Sequence, residues 1–114
     1  MIPRPDLLGD TSPRGLEVFQ LTAEPDVPSC HIYVDAQVFT PDSRRFVLHR
    51  SAHAHGSDPQ DPRHRYLVCD IENGCELIPV TDELGTTGPA ISPDGQFLYY
   101  FVNETAPARG RLTL

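Results

Sequence analysis

The sequence predicts an all-β chain: about two four-stranded antiparallel blades of a β-propeller, part of a larger propeller. Three observations carry this expectation. A turn-plus-strand phrase occurs twice, as "FTPDSRRFVLHRS" (39–51) and "ISPDGQFLYYFVN" (91–103), placing Thr40 and Ser92 52 positions apart. A second phrase repeats in its own register, "GLEVFQLT" from Gly15 and "GCELIPVT" from Gly74. Twelve prolines and eight glycines interrupt the 114 residues too often for long helices and favour short strands joined by turns. A repeat of about 40–50 residues holding four strands is the signature of a propeller blade. The alternative is an ordinary β-sandwich with coincidentally similar turns, and the agreement of two registers favours blades.

The elements follow in order. Residues 1–15 carry three prolines and read as an extended N-terminal arm. The blade segment spans 16–114, with repeat centres near 39–51 and 91–103. "LEVFQLT" (16–22) reads as a strand with Phe19 and Leu21 on one face. "HIYVDAQVF" (31–39) is the next, with its strand at 32–39. Thr40-Pro41-Asp42-Ser43 and Ser92-Pro93-Asp94-Gly95 both fit type I turns, in which Pro presets the second position and a hydroxyl bonds back to the main chain. The strands that follow, 45–51 and 97–103, are nearly continuous in bulky residues, as expected of strands covered on both faces. "HRYLVCD" (64–70) leads through Asn73-Gly74, a hairpin pair suited to positive φ, into "CELIPVT" (75–81). Pro79 cannot donate to a ladder, which places this strand on an edge. Strands at 87–91 and 109–114 complete eight. The second to fifth make a full blade, the last three a blade lacking its outer strand, and the first an orphan. An orphan and a gap at opposite sides predict a homo-oligomer or a chain completed by the remaining blades of a longer protein.

Composition narrows the partners. The net charge is −7, and all nine basic residues are Arg, which argues against a nucleic-acid partner. No apolar run is long enough to span a membrane, so no membrane partner is expected. The first fifteen residues lack a signal-peptide pattern, and a cytoplasmic location is expected. Cys30, Cys69 and Cys75 are read as buried free thiols, although Cys69 and Cys75 flank a turn and could lie near each other.

The segment "LHRSAHAHGSDPQDPRHRY" replaces a short turn with a long loop, and long loops are often functional. His53 and His55 could share a metal, with His64, Asp58 or Asp61 as further ligands, but the spacing matches no established zinc pattern. Arg50, Arg63 and Arg65, with His49, are candidate ligand-binding residues, because a guanidinium binds a carboxylate through paired hydrogen bonds. The competing reading pairs these arginines with Asp58, Asp61 and Glu72 on a solvated loop. The aromatic run Phe97, Tyr99, Tyr100 and Phe101 suits sugar stacking or, more simply, core packing. No nucleophile motif and no phosphate-binding glycine loop is present, and no catalytic residue and no cofactor is evident.

The Ser-Pro-Asp-Gly turn followed by a bulky strand resembles the TolB-type propeller repeat. Asp42 and Asp94 match its Asp and Gly95 its Gly, while Ser43 departs from it. Over roughly 15–114 the chain is similar to the N-terminal part of the oligogalacturonate lyase family, on "VFQLT", "HIYVDAQVFTPDSRRFVLHRS" and "ISPDGQFLYYFVN". That resemblance implies a seven-bladed propeller, an acidic (uronate) oligosaccharide as partner, β-elimination as the reaction and a divalent metal, manganese, as cofactor of a full family protein. The family's metal ligands are His and Gln of later blades, so no catalytic residue carries over to this chain. Two function classes are therefore expected: a portion of a uronate-binding, lyase-like propeller, or a non-catalytic propeller module for self-assembly or protein interaction.

Overall fold

The computed structural model describes residues 1–33, 35–51, 58–103 and 106–112. Nine strands and one short 3-10 turn, Pro5–Leu7, make up the described elements. The strands form three antiparallel sheets: a ribbon of β1 (Ile2–Pro3) and β2 (Phe19–Gln20), a first sheet of β3 (Ser29–His31), β4 (Arg45–Arg50), β5 (Arg65–Asp70) and β6 (Glu76–Pro79), and a second sheet of β7 (Thr86–Ile91), β8 (Phe97–Val102) and β9 (Ala106–Arg111). In the two larger sheets each strand pairs with its sequence neighbour, so both are simple meanders. The chain is all-β, and its four-plus-three division of strands is that expected from the repeat.

The repeated turns are chemically equivalent. Thr40 Oγ1 donates to Asp42 Oδ1 at 2.6 Å, and Asp42 Oδ1 also accepts from the Arg44 amide at 3.1 Å. Ser92 Oγ donates to Asp94 Oδ1 at 2.5 Å, and that oxygen accepts from the Gln96 amide at 3.0 Å. The hydroxyls accept in turn from the amides of Arg45 and Phe97, at 3.1 and 3.0 Å. Each turn ends in the left-handed region, at Ser43 (φ 59°) and Gly95 (φ 72°). The second register also holds, since Gly15 and Gly74 both take positive φ ahead of β2 and β6.

Two apolar layers result. Val47, Tyr66 and Val68 face the second sheet and pack with Ile91, Leu98, Tyr100 and Leu112. Leu48, Leu67 and Cys69 face the other way and pack with Leu21, Phe46 and Leu77. Strands β4 and β5 are thus covered on both faces, which is why their apolar runs do not alternate. β8 differs: Leu98 and Tyr100 are buried, while Tyr99 and Phe101 are 45% and 46% exposed.

Several expectations need correction. The strand within 16–22 is not an orphan, because the start of the N-terminal arm pairs with it. The Arg4 amide donates to the Val18 carbonyl at 2.8 Å, Arg4 Nη1 reaches Gln20 Oε1 at 2.8 Å, and Ile2 and Pro3 pair with Gln20 and Phe19. Pro3 sits on an edge, where a missing donor is tolerated. The strand expected at 32–39 is interrupted. His31 pairs with Leu48, but the Val38 carbonyl accepts from the Val47 amide and Phe39 bridges Phe46, so 32–33 and 35–37 lie outside the ladder. That excursion spans the two sheets, as the Ile91 amide donates to the Gln37 carbonyl at 2.8 Å.

The β5–β6 hairpin corrects the thiol expectation. Positive φ falls on Gly74 and Cys75, one position later than expected, and brings Cys75 to a Cα–Cα distance of 4.9 Å from Cys69. That separation suits a bridge, and the two are joined as a disulfide. Asp70 organises the turn, accepting from the amides of Glu72 and Asn73 and from Asn73 Nδ2. Burial alone would push its carboxyl up, but these bonds and Arg45, 3.5 Å away, hold it below the usual range. Pro79 does lie on an edge strand, as its missing donor requires.

Candidate functional site

β4 and β5 run from the turn end of the first sheet to the end where the long loop departs, and they carry the candidate residues there. Their register places His49 opposite Tyr66 and Arg50 opposite Arg65. Side chains alternate between faces along a strand, so the expected Arg–His constellation is divided. Arg50 and Arg65 share one face, and His49 lies on the other with Tyr66. Arg50 is engaged, with Nε on Ser29 Oγ at 3.0 Å and Nη2 on Glu24 Oε2. That bond holds the Glu24 carboxyl below the usual range. Arg65 Nη1 donates to the His64 carbonyl at 2.6 Å. Arg63 is exposed, its amide donating to Asp61 Oδ1 at 2.9 Å. Of the expected pairs, Glu72 meets Arg44 instead, at 3.2 Å. His53 and His55 lie outside the described residues. Among the described residues no group of three His, Cys, Asp or Glu is placed to hold a metal ion, so no step through manganese is derived.

The structure brings His49 and His64 together on the face toward the second sheet. Their rings stack at 5.7 Å, and Tyr66 meets His64 edge-on at 5.2 Å. With His31, Tyr33 and Thr86 they line a pocket of about 200 Å³ between the sheets. His64 is 3% exposed and Thr86 fully buried. Among the described residues neither ring nitrogen of His64 has a hydrogen-bond partner, and neither has Thr86 Oγ1. The Thr86 main chain approaches the ring without closing such a bond. A buried polar atom left unmet costs about 1–3 kcal/mol, so three around one pocket are a feature that stability alone does not explain. Burial pushes His64 below the ordinary histidine value, against a smaller opposing pull from the Thr86 main chain and Asp61, and pushes the Tyr66 phenol up to about 12. Both side chains are therefore neutral at neutral pH.

The loop floor is fixed by backbone contacts. The Gly85 amide donates to the Pro59 carbonyl at 2.7 Å and the Asn103 amide to the Gly85 carbonyl at 2.7 Å. Gly85 has φ 73°, and a Cβ there would stand 2.1 Å from Asn103 Oδ1. Only glycine suits that crossing.

A second feature is the outer face of the second sheet. Phe97, Tyr99 and Phe101 alternate outward along β8, paired with Arg111, Arg109 and Pro107 of β9. The Arg109 guanidinium lies 4.8 Å from the Phe97 ring centre. The expectation of core packing for this aromatic run holds for Tyr100 and fails for Tyr99 and Phe101. Their outward turn is hard to read in "FLYYFV", because inward and outward positions are equally bulky. Thr86 was missed for the opposite reason: nothing marks a threonine at a strand start as unpartnered.

The chain matches no protein-family model, no curated protein and no solved structure.

Proposed function

We propose that this chain is an assembly module: two consecutive propeller-type blades that associate head to tail with a second copy. One observation carries the reading. The first sheet is covered on both faces, whereas the second is covered on one, leaving Tyr99 and Phe101 half exposed and β9 as an open edge. The N-terminal segment that carries the ribbon offers a complementary surface, with Ile2, Leu16 and Phe19 exposed and with exposed Asp10 and Glu17 adding negative charge. Apolar residues on both surfaces and Arg109 and Arg111 against carboxylates suit the layer of one copy to the sheet of the next. Such a heterologous contact builds a ring when the rotation closes. The Cys69–Cys75 bond supports an oxidising compartment for the module in place of the cytoplasm.

Light scattering on the purified chain is expected to give a mass rising with concentration above 12.7 kDa. Tyr99→Glu with Phe101→Glu is expected to hold it at the monomer mass with unchanged circular dichroism. A clean monomer for the unaltered chain into the hundreds of micromolar would overturn the proposal.

A second reading is favoured by the arginines on the same face. Exposed Tyr99 and Phe101 beside Arg109 and Arg111 would stack a sugar ring and pair its carboxylate, which suits an acidic oligosaccharide of the kind the sequence resemblance implies. It assigns no catalytic residue. Calorimetry with galacturonate oligomers tests it: binding lost in Arg109→Ala with Arg111→Ala supports it, and no heat with the unaltered chain removes it.

A further inference from the structure

We infer that copies of the chain join by strand addition: β2 of one copy pairs antiparallel with β9 of the next, with Glu17 opposite Arg111 and Phe19 opposite Arg109. The inference rests on head-to-tail assembly and specifies the contact that makes it. Two open edges carry it. Among the described residues β9 pairs with β8 alone, and β2 with β1 alone. Hydrogen-bonded pairs recur at every second residue of an antiparallel ladder. The Leu112 amide donates to the Gln96 carbonyl, so Gly110 and Ala108 bond to β8, and the main-chain groups of Arg109 and Arg111 point off the sheet. The Arg4 amide donates to the Val18 carbonyl, so Val18 and Gln20 bond to β1, and the main-chain groups of Glu17 and Phe19 point away from it. Each edge thus presents donors and acceptors at the positions the other needs.

The repeat fixes the register. In the first sheet β6 is the fourth strand, with Ile78 opposite Val68 and Glu76 opposite Asp70. The repeated turns match Phe46 and Val47 to Leu98 and Tyr99. Their partners are Cys69 and Val68 in one sheet, and Gly110 and Arg109 in the other. Arg109 therefore stands where Val68 does, and Arg111 where Asp70 does. Aligning Gly15 with Gly74 sets Phe19 in place of Ile78 and Glu17 in place of Glu76. The Val80 amide donates to the Tyr66 carbonyl, which makes Val68–Ile78 and Asp70–Glu76 hydrogen-bonded pairs, the parity that the two open edges share. Charge favours the same register. Two carboxylates, Asp70 and Glu76, oppose each other in the first sheet, whereas Glu17 would oppose the guanidinium of Arg111. Phe19, 39% exposed, would extend the outward row of Tyr99 and Arg109. Each joined copy still has one edge of the other kind open, so the contact repeats.

Cross-linking reads the register. Opposed residues of a hydrogen-bonded pair stand about 5.5 Å apart at Cα, within the reach of a disulfide. Full chains carrying Cys30→Ala with Glu17→Cys would be mixed in air with chains carrying Cys30→Ala with Arg111→Cys, and a covalent dimer is expected. Gln20→Cys in place of Glu17→Cys lies out of register and is expected to give none. Light scattering reads the edge itself. Arg109→Pro removes an outward amide and leaves the β8 ladder whole, as Pro107 already does in the same strand. It is expected to weaken association roughly tenfold beyond Arg109→Ala, which keeps the amide. The cross-link decides the matter if Arg109→Pro melts early, since it leaves the β9 main chain unaltered. Suppose the unaltered chain associates, yet Gln20→Cys links as well as Glu17→Cys, or neither links, or a folded Arg109→Pro chain associates as well as Arg109→Ala. Any of these would overturn strand addition and leave assembly through the outer face standing. A clean monomer for the unaltered chain would remove both.

Discussion

Ser43 and Gly95 occupy equivalent positions at the ends of two chemically matching turns, yet only one is glycine. An L-residue in the left-handed region costs about 1–2 kcal/mol relative to glycine. Ser43→Gly is therefore expected to raise stability by about 1 kcal/mol in a urea titration, less whatever the freer unfolded chain takes back. Gly95→Ala meets two obstacles. It keeps φ 72°, and its Cβ would stand 2.8 Å from Pro41 Cδ of the other turn. A loss of about 1–3 kcal/mol is expected, and an unchanged midpoint would show that the turns do not touch. Side-chain chemistry of this kind was legible in the sequence because it is local: hydroxyl, proline, carboxylate and glycine act within four residues. The pocket was not, since His64 and Thr86 meet only after two sheets stack.

β4, β5 and β8 fell within a residue or so of their expected bounds, because long apolar runs between turn signals leave little choice. The stretch at 31–39 misled, since its apolar residues continue across an excursion that only the ladder reveals. β1 was invisible for want of length and pattern. Contact between the sheets is equally hard to read, although Gly110 in β9 marks it. A Cβ there would stand 2.6 Å from Val80 Cγ1 and 2.9 Å from the Val80 carbonyl oxygen. Gly110→Ala is expected to cost about 1–3 kcal/mol by thermal melting. Adding Val80→Ala should recover part of that, because the methyl clash can be removed and the carbonyl clash cannot. Strict additivity of the two changes would show that the contact is absent.

Across the whole molecule, acid should act in two stages. His64 has a folded value below its unfolded one, near 6.5, so the unfolded chain takes up the proton first as pH falls. The favourable term for folding is present above that value and is lost below it, at up to about 1.4 kcal/mol per pH unit. Asp61 and Asp58 pull the histidine up and Arg65 pushes it down, but burial dominates. The melting temperature is expected to drop between about pH 7.5 and 5.5, and His64→Gln should flatten that drop. Equal drops in both proteins would remove His64 as the cause. A second decline belongs to Asp6, Glu24, Asp42 and Asp94, whose carboxyls Arg4, Arg50, Thr40 and Ser92 hold below their ordinary values. Their contribution is present above the ordinary carboxylate range and disappears as pH falls through the lowered values.

The Cys69–Cys75 bond also sets how the chain yields to force. The two residues are six positions apart and close a loop around the β5–β6 turn. A molecule pulled from its ends cannot pay out that loop while the bond is intact. Full extension of six residues spans about 20 Å, and the bridge itself already spans 4.9 Å. Reduction therefore lengthens the fully stretched chain by roughly 15 Å. A force-extension trace would read the oxidation state of this hairpin as a difference in length, with no chemical label.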